Sequence, residues 1–106
     1  MGLNLFDQYT LLHFSTGVVA YFWNISLKNW FIIHTIFELL ENTNKGVYII
    51  NNLKIDNIKI WPGGKKEPDA LINIVGDTIG AMLGWLVAYY LDYLGKKNNW
   101  YNLHNN

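Results

Sequence analysis

Residues 70–95, ALINIVGDTIGAMLGWLVAYYLDYLG, form a long apolar stretch in which Asp77 and Asp92 are the only charged residues. At about 1.5 Å per residue, a helix of this length can cross the ~30 Å hydrocarbon core of a bilayer with some tilt. The stretch therefore predicts a transmembrane helix. It indicates an integral membrane protein of the all-α class.

Two further apolar segments come earlier in the chain, over residues 9–27 and 28–43. The first is long enough to cross a bilayer, and Asp7 is placed to cap its N-terminus. The second is strongly apolar for only about a dozen positions, so we expect a short or tilted span. The sequence thus predicts one membrane domain over residues 1–106, with three transmembrane helices that alternate in direction.

The segment between the second and third predicted helices, residues 44–69, alternates loosely between apolar and polar side chains. We expect it to lie at the membrane interface as an amphipathic helix or a short hairpin, before a turn at Pro62-Gly63-Gly64. The polar tail from Lys96 onward is expected to be mobile. The N-terminus has no basic region and no cleavage site, so we expect the first segment to remain in the mature protein.

The composition agrees with a membrane protein and excludes several other classes. Hydrophobic residues make up 51% of the chain and aromatic residues 16%, which is too apolar for a typical small soluble domain. The net charge is zero and no basic block occurs, so we expect no nucleic-acid partner. The chain has no cysteine, which excludes disulfides, thiolate metal ligands and Cys nucleophiles.

Aromatic residues cluster where the first segment ends, where the second begins and where the third ends. They are Tyr21, Phe22, Trp23, Trp30, Phe31, Trp85, Tyr89, Tyr90 and Tyr93. Three alternating spans would bring all of them to one membrane face, as an interfacial aromatic belt requires. Five lysines fall in residues 44–69 and three on the opposite side, which favours the N-terminus and this loop on the inside.

Ionisable and amide residues mark the opposite face of the same three segments. They are His13 in the first, His34, Glu38, Glu41 and Asn42 in the second, and Asp69, Asn73 and Asp77 in the third. The helical rise places Glu41 and Asp69 near the surface, with the two histidines and Asp77 deepest. We expect a polar funnel that enters from one side, because ionisable groups inside a membrane usually face a partner or a water-filled cavity.

Within this funnel, His34, Glu38 and Asp77 are the candidate catalytic residues. A His one turn from a carboxylate suits a shared divalent metal ion or a general base. Together with His13 they offer enough nitrogen and oxygen ligands for zinc or another divalent metal. The remaining funnel residues are candidates for ligand binding: His13, Glu41, Asn42, Asp69 and Asn73. A metal-free alternative is that the cluster binds a lipid headgroup or relays protons.

Structural interpretations compete with each of these functional ones. His13 alone would suit an interhelical hydrogen bond. Glu41 and Asp69 would suit the membrane boundary, and Asp69 would also suit the N-cap of the third helix. Glycines that recur every four residues form a groove that lets another helix approach closely, so helix packing is expected at Gly17, Gly76, Gly80 and Gly84.

Three motifs resemble small bacterial membrane proteins of unknown function and the broader VanZ-like group. They are His13-Phe14-x-x-Gly17, the E-x-x-E-N-[ST] series from Glu38 to Thr43, and the D-x-x-x-N-x-x-x-D series from Asp69 to Asp77. The chain departs from the VanZ-like pattern in the spacing between Asp7 and His13. It also lacks an Arg before the last helix, where Lys65 and Lys66 stand. The resemblance implies a membrane protein connected with the envelope or lipids.

The sequence therefore favours a membrane protein whose one-sided polar pocket binds the headgroup of a lipid or another amphiphile. Metal-assisted hydrolysis is a chemistry that the residues would support, and whether the protein is an enzyme stays open. The main alternative is a structural or assembly subunit that packs through the Gly76, Gly80 and Gly84 face into a homo-oligomer or a larger membrane complex. Ion or proton passage is a third interpretation and would require oligomerisation.

Overall fold

The long apolar stretch forms one continuous helix, Leu71–Lys97, in this computed structural model, which describes residues 3–61 and 68–100. Three helices and a two-stranded hairpin precede it: α1 (Gln8–Phe22), α2 (Leu27–Glu41), α3 (Asn44–Asn52), β1 (Lys54–Ile55) and β2 (Ile58–Lys59), so that the long helix is α4. The mostly helical structure confirms the all-α class. The predicted Pro62-Gly63-Gly64 turn and the tail beyond Trp100 lie outside the described residues.

The segment predicted as an interfacial helix or hairpin contains both. Thr43 caps α3, because its hydroxyl oxygen accepts a hydrogen bond from the Gly46 N–H at 2.9 Å. The hairpin pairs β1 with β2 in antiparallel register. Asp56 and Asn57 connect the strands with positive φ angles of 53° and 68°, which is the conformation that a tight two-residue hairpin turn requires.

α1 begins as predicted but ends five residues earlier than the predicted limit of 27. The Asp7 carboxylate accepts the Tyr9 N–H at 2.9 Å, which confirms the expected N-cap. At the other end Asn24 adopts a positive φ of 64°, and the Ile25 N–H bonds back to the Ala20 carbonyl at 3.1 Å. This arrangement is a Schellman motif, which ends the helix.

α1 and α2 are shorter than a standard transmembrane helix. Each has 15 residues, which corresponds to ~22 Å of helix against a ~30 Å hydrocarbon core. In the described part of the chain, α4 alone is long and apolar enough to cross a membrane, and a core helix of a soluble protein meets the same test. The three-span arrangement therefore stays a prediction.

α1 and α4 lie in close contact and run in the same direction. Thr10 faces Gly80, and one turn further along both helices Phe14 faces Gly84. A Cβ atom on Gly84 would overlap the carbonyl oxygen of Phe14, whereas one on Gly80 would meet the Thr10 methyl group at 2.8 Å. The glycines thus allow the two backbones to approach almost to contact.

The same glycine face is covered along its length within the chain. Gly76 lies against the backbone of Leu5, and Gly17 of α1 lies against the carbonyl of Ala81. An assembly that used the α4 glycines to bind another copy would first have to displace α1.

α2 runs antiparallel to the pair formed by α1 and α4. The Trp30 indole N–H donates to the Ala81 carbonyl at 3.1 Å. About two turns further along α2, Glu38 lies beside Asp77, which is one turn before Ala81 on α4. Moving forward along α2 therefore means moving backward along α4. The end of α2 and the start of α4 therefore lie at the same end of the bundle as the start of α1.

The bundle has a polar interior and an apolar outer surface. Among the described residues the largest fully buried side chains are His34, Glu38, Asn73 and Asp77. The main apolar core beside them is small and consists of Ala20, Trp30 and Ala81. The outer surface, by contrast, is apolar. On α2, for example, six large apolar side chains are exposed: Phe31, Ile32, Ile33, Ile36, Leu39 and Leu40.

Gly84→Ala should destabilise the protein, and Gly80→Ala should do so less. Helix propensity alone would stabilise the alanine variant, because alanine favours a helix over glycine by about 1 kcal/mol. A lower free energy of unfolding would therefore have to come from overpacking against Phe14. We expect overpacking to cost about 1–3 kcal/mol, measured as the free energy of unfolding in detergent. An unchanged or raised stability of Gly84→Ala would contradict the close backbone contact.

Candidate metal site

Three buried side chains from α1 and α2 converge: His13, His34 and Glu38, here called the histidine cluster. His13 Nδ1 lies 2.9 Å from His34 Nε2 and 3.3 Å from Glu38 Oε1. His34 Nε2 lies 3.6 Å from the same Glu38 oxygen. His34 and Glu38 are one turn apart and share a face of α2, and each of the three side chains is at most 3% exposed.

The second nitrogen of each imidazole faces a different partner. His13 Nε2 lies 3.3 Å from Asp77 Oδ2. His34 Nδ1 lies 3.4 Å from the Thr78 hydroxyl oxygen, and that hydroxyl donates its own proton to the Ile74 carbonyl at 3.0 Å. The Asp77 carboxylate can accept a proton from His13, and the Thr78 hydroxyl oxygen can accept one from His34, so the tautomer of each ring determines which of these contacts is a hydrogen bond.

The two nitrogens that face each other form a hydrogen bond of 2.9 Å, in which one ring donates and the other accepts. His13 Nδ1, His34 Nε2 and Glu38 Oε1 are also three potential ligand atoms within 4.8 Å of one another. A metal ion bound between them would replace the shared proton, because an imidazole binds a metal through an unprotonated nitrogen. Two imidazoles and one carboxylate are also a ligand set of catalytic zinc sites, which leave a fourth position open.

Glu38 also belongs to a second group, formed with Asp69 and Asp77 and here called the carboxylate group. One oxygen from each of these three residues lies within 4.8 Å of the others. The predicted metal ligands therefore do not form one set of four: His13, His34, Glu38 and Asp77. Asp77 lies apart from the histidine cluster, since it contacts the Nε2 atom of His13, whereas His34 contacts Nδ1. An Asp that orients a metal-binding histidine is a common outer partner of metal sites.

Asn42 connects the end of α2 to the segment before α4. Its side-chain amide donates to the Glu38 carboxylate at 3.1 Å and to the Glu38 carbonyl at 2.8 Å. Its side-chain oxygen accepts the Asp69 N–H at 2.7 Å. Asp69 is not the N-cap of α4, because that position is taken by Ala70.

Besides Asn42, the predicted ligand-binding residues Asn73 and Glu41 lie outside both groups. Asn73 donates to the Asn4 carbonyl at 2.7 Å and to the Asp7 carboxylate at 3.3 Å, so it holds the N-terminal segment against α4. Glu41 is buried and lines a small cavity between α2 and α3.

Two residues that contact the histidine cluster, Thr78 and Trp61, were not predicted from the sequence. Thr78 adjoins Asp77 in the sequence, so helical spacing would have placed it near the same interior. Trp61 lies with its ring centroid 5.5 Å from that of His13. Nothing in the local sequence indicates that contact, because Trp61 follows the hairpin and reaches His13 only in the folded chain.

A further polar group, not singled out from the sequence, lies at the aromatic end of the bundle. The Tyr21 hydroxyl donates to the Asp92 carboxylate. The Lys96 Nζ atom lies 3.2 Å from Oδ2 of the same carboxylate. Trp85 stacks on Tyr89 with ring centroids 5.6 Å apart. Tyr21, Trp85 and Tyr89, three of the predicted aromatic residues, therefore lie together at this end.

The three sequence motifs supply four members of the two groups, namely His13, Glu38, Asp69 and Asp77. No protein-family model, curated protein or solved structure matches the chain. The role of the histidine cluster is therefore inferred from its own chemistry.

Asn42→Ala should destabilise the protein by about 1–3 kcal/mol, because partly buried groups of Glu38 and Asp69 lose their hydrogen bonds. The measurement is the free energy of unfolding in detergent. Asn29→Ala is the matched control, since Asn29 is an exposed asparagine of α2, the helix that Asn42 caps. Equal effects of the two substitutions would contradict a linking role for Asn42.

Proposed function

We propose that the protein is an integral membrane protein with three spans, whose histidine cluster binds a divalent metal ion. The metal would act on the polar headgroup of a lipid or another amphiphile. One observation carries this proposal: two imidazole nitrogens and a carboxylate oxygen, which are together a ligand set of zinc sites, converge in the buried interior.

The distribution of side chains supports a membrane location. An ionisable residue at the centre of a bilayer costs about 3 kcal/mol on insertion scales, so such residues face the interior of a helix bundle. His34, Glu38 and Asp77 do so, whereas apolar side chains such as Ile36 and Leu83 are 53% and 48% exposed. In water this outer surface would be an apolar patch of the kind that marks contact with a membrane or a partner.

The directions of the helices support three spans. α1 and α4 are parallel and α2 is antiparallel, which is the order that three successive spans produce when a short connection lies at one membrane face and the longer segment with α3 and the hairpin lies at the other. The shortness of α1 and α2 is accommodated by local thinning of the bilayer and by interfacial side chains. The Tyr21, Trp85 and Tyr89 rings would lie at one interface, and Asp69 and Asn42 at the other.

A zinc ion in the histidine cluster would supply a Lewis acid and an activated water molecule for hydrolysis of a headgroup ester. His13, His34 and Glu38 would hold the ion, and Asp77 would orient His13. Asp69 and Asp77 lie beside Glu38 and would offer a carboxylate as general base. The resemblance to VanZ-like proteins supports a lipid or envelope substrate.

The purified protein should bind about one zinc ion per chain, and Glu38→Gln should weaken that binding by at least ~100-fold. Asp77→Asn should weaken it by about 10–100-fold, because an outer partner orients the ligand without touching the metal. Affinities are measured by competition with a zinc-binding dye, and unfolding curves establish that each variant folds.

Glu41→Gln is the matched control for Glu38→Gln. Glu41 is on the same helix and is 3% exposed against 1% for Glu38, but it does not belong to the histidine cluster. The control should bind zinc as the unaltered protein does. Absence of zinc binding, or equal weakening in both glutamate variants, would contradict the proposal.

The three-span arrangement predicts which positions share a side of the membrane. The chain has no cysteine, so single cysteines can be introduced at Lys28, Lys45 and Lys97. In intact membranes, a membrane-impermeant maleimide should label Lys45→Cys from one side and the other two from the opposite side. Labelling of all three from the same side would exclude three spans.

A further inference from the structure

An apolar slot adjoins the histidine cluster between α1 and α2. Its walls are Thr16, Trp30, Ile33, Phe37 and Trp61, and the two imidazoles of the cluster complete them. The cavity measures about 160 Å³. Apolar side chains and two of the proposed metal ligands therefore line the same cavity.

Aromatic rings surround this slot at contact distances. The Phe37 ring centroid lies 5.4 Å from that of Trp61, and Trp61 lies 5.5 Å from His13. On the other side, the Trp30 centroid lies 5.5 Å from that of His34. Such rings present apolar surface and provide no anchoring charge, so the slot favours a hydrocarbon occupant.

The size of the slot limits what it can hold. An apolar cavity of ~150 Å³ stays dry and accepts a molecule as small as benzene, whereas complete ligands usually occupy ~300–1,000 Å³. The slot is thus too small for a whole lipid and large enough for a short segment of chain. Ile33, which lines it, is 47% exposed, so the slot reaches the outer surface of the bundle.

We infer that the slot binds the part of a hydrocarbon chain that adjoins the headgroup of a single-chain phospholipid. The headgroup lies at the histidine cluster, and the rest of the chain leaves between α1 and α2 toward the surrounding lipid. This inference rests on the proposed function, because the cluster is taken to bind the headgroup. The inference specifies the substrate class, which is a molecule whose polar group is attached to an unbranched chain. The point of attachment lies at the depth of His13 and His34.

The test compares two isoleucines that are neighbours on α2. Ile33 lines the slot and is 47% exposed, whereas Ile32 does not line it and is 46% exposed. Ile33→Trp fills the slot, and Ile32→Trp places the same side chain on the outer surface. Binding of lauroyl lysophosphatidate to zinc-loaded protein in non-ionic detergent is measured by native mass spectrometry. Glycerol phosphate, which lacks the chain, is the reference ligand.

The unaltered protein and Ile32→Trp should bind the lysophosphatidate equally, and at least tenfold more tightly than glycerol phosphate. Ile33→Trp should lose at least tenfold of that affinity and still bind zinc. If Ile33→Trp binds the lipid as tightly as Ile32→Trp does, or if the chain adds nothing to affinity, the inference is wrong while zinc binding leaves the proposed function standing. If the unaltered protein binds no zinc, the proposed function itself fails.

Discussion

The close backbone contact between α1 and α4 is the constraint on which the buried site depends. Gly84 lies against the carbonyl of Phe14, and Gly80 lies against Thr10. This contact fixes how far α1 can slide along α4, and it leaves the imidazole of His13 3.3 Å from the carboxylate of Asp77. With wider separation, the second nitrogen of His13 would lose its contact with Asp77, and the carboxylate would no longer orient the ring toward His34 and Glu38.

Hydrogen bonds between buried groups explain how an apolar chain tolerates a polar interior. Buried polar groups are costly unless they are hydrogen-bonded, and the cost rises in a low-dielectric environment. Here Asn42 joins Glu38 to the Asp69 backbone, and Asn73 joins α4 to Asn4. The outer surface is apolar at the same time, so a bilayer would stabilise the arrangement that water would oppose. The polar network and the proposed membrane location therefore support each other.

Much of the helical structure followed from sequence, because it depends on local spacing. The length of the apolar stretch predicted α4, and Asp7 marked the start of α1. The shared face of His34 and Glu38 is a consequence of helical geometry. The end of α1 at Phe22 was not predicted, because it depends on Asn24 adopting a positive φ within an otherwise apolar run. The contact of Trp61 with His13 and the choice of nitrogen on each histidine are tertiary features, which spacing along the chain cannot reveal.

The most direct test of the account is X-ray absorption spectroscopy of the zinc-loaded, purified protein. The zinc ion should be bound by two imidazole nitrogens at about 2.0–2.1 Å, with oxygen completing the coordination. His13→Gln should remove the scattering of one imidazole, and Glu41→Gln should leave the spectrum unchanged. A zinc ion without imidazole ligands, or a spectrum that His13→Gln does not alter, would contradict the assignment of the histidine cluster as a metal site.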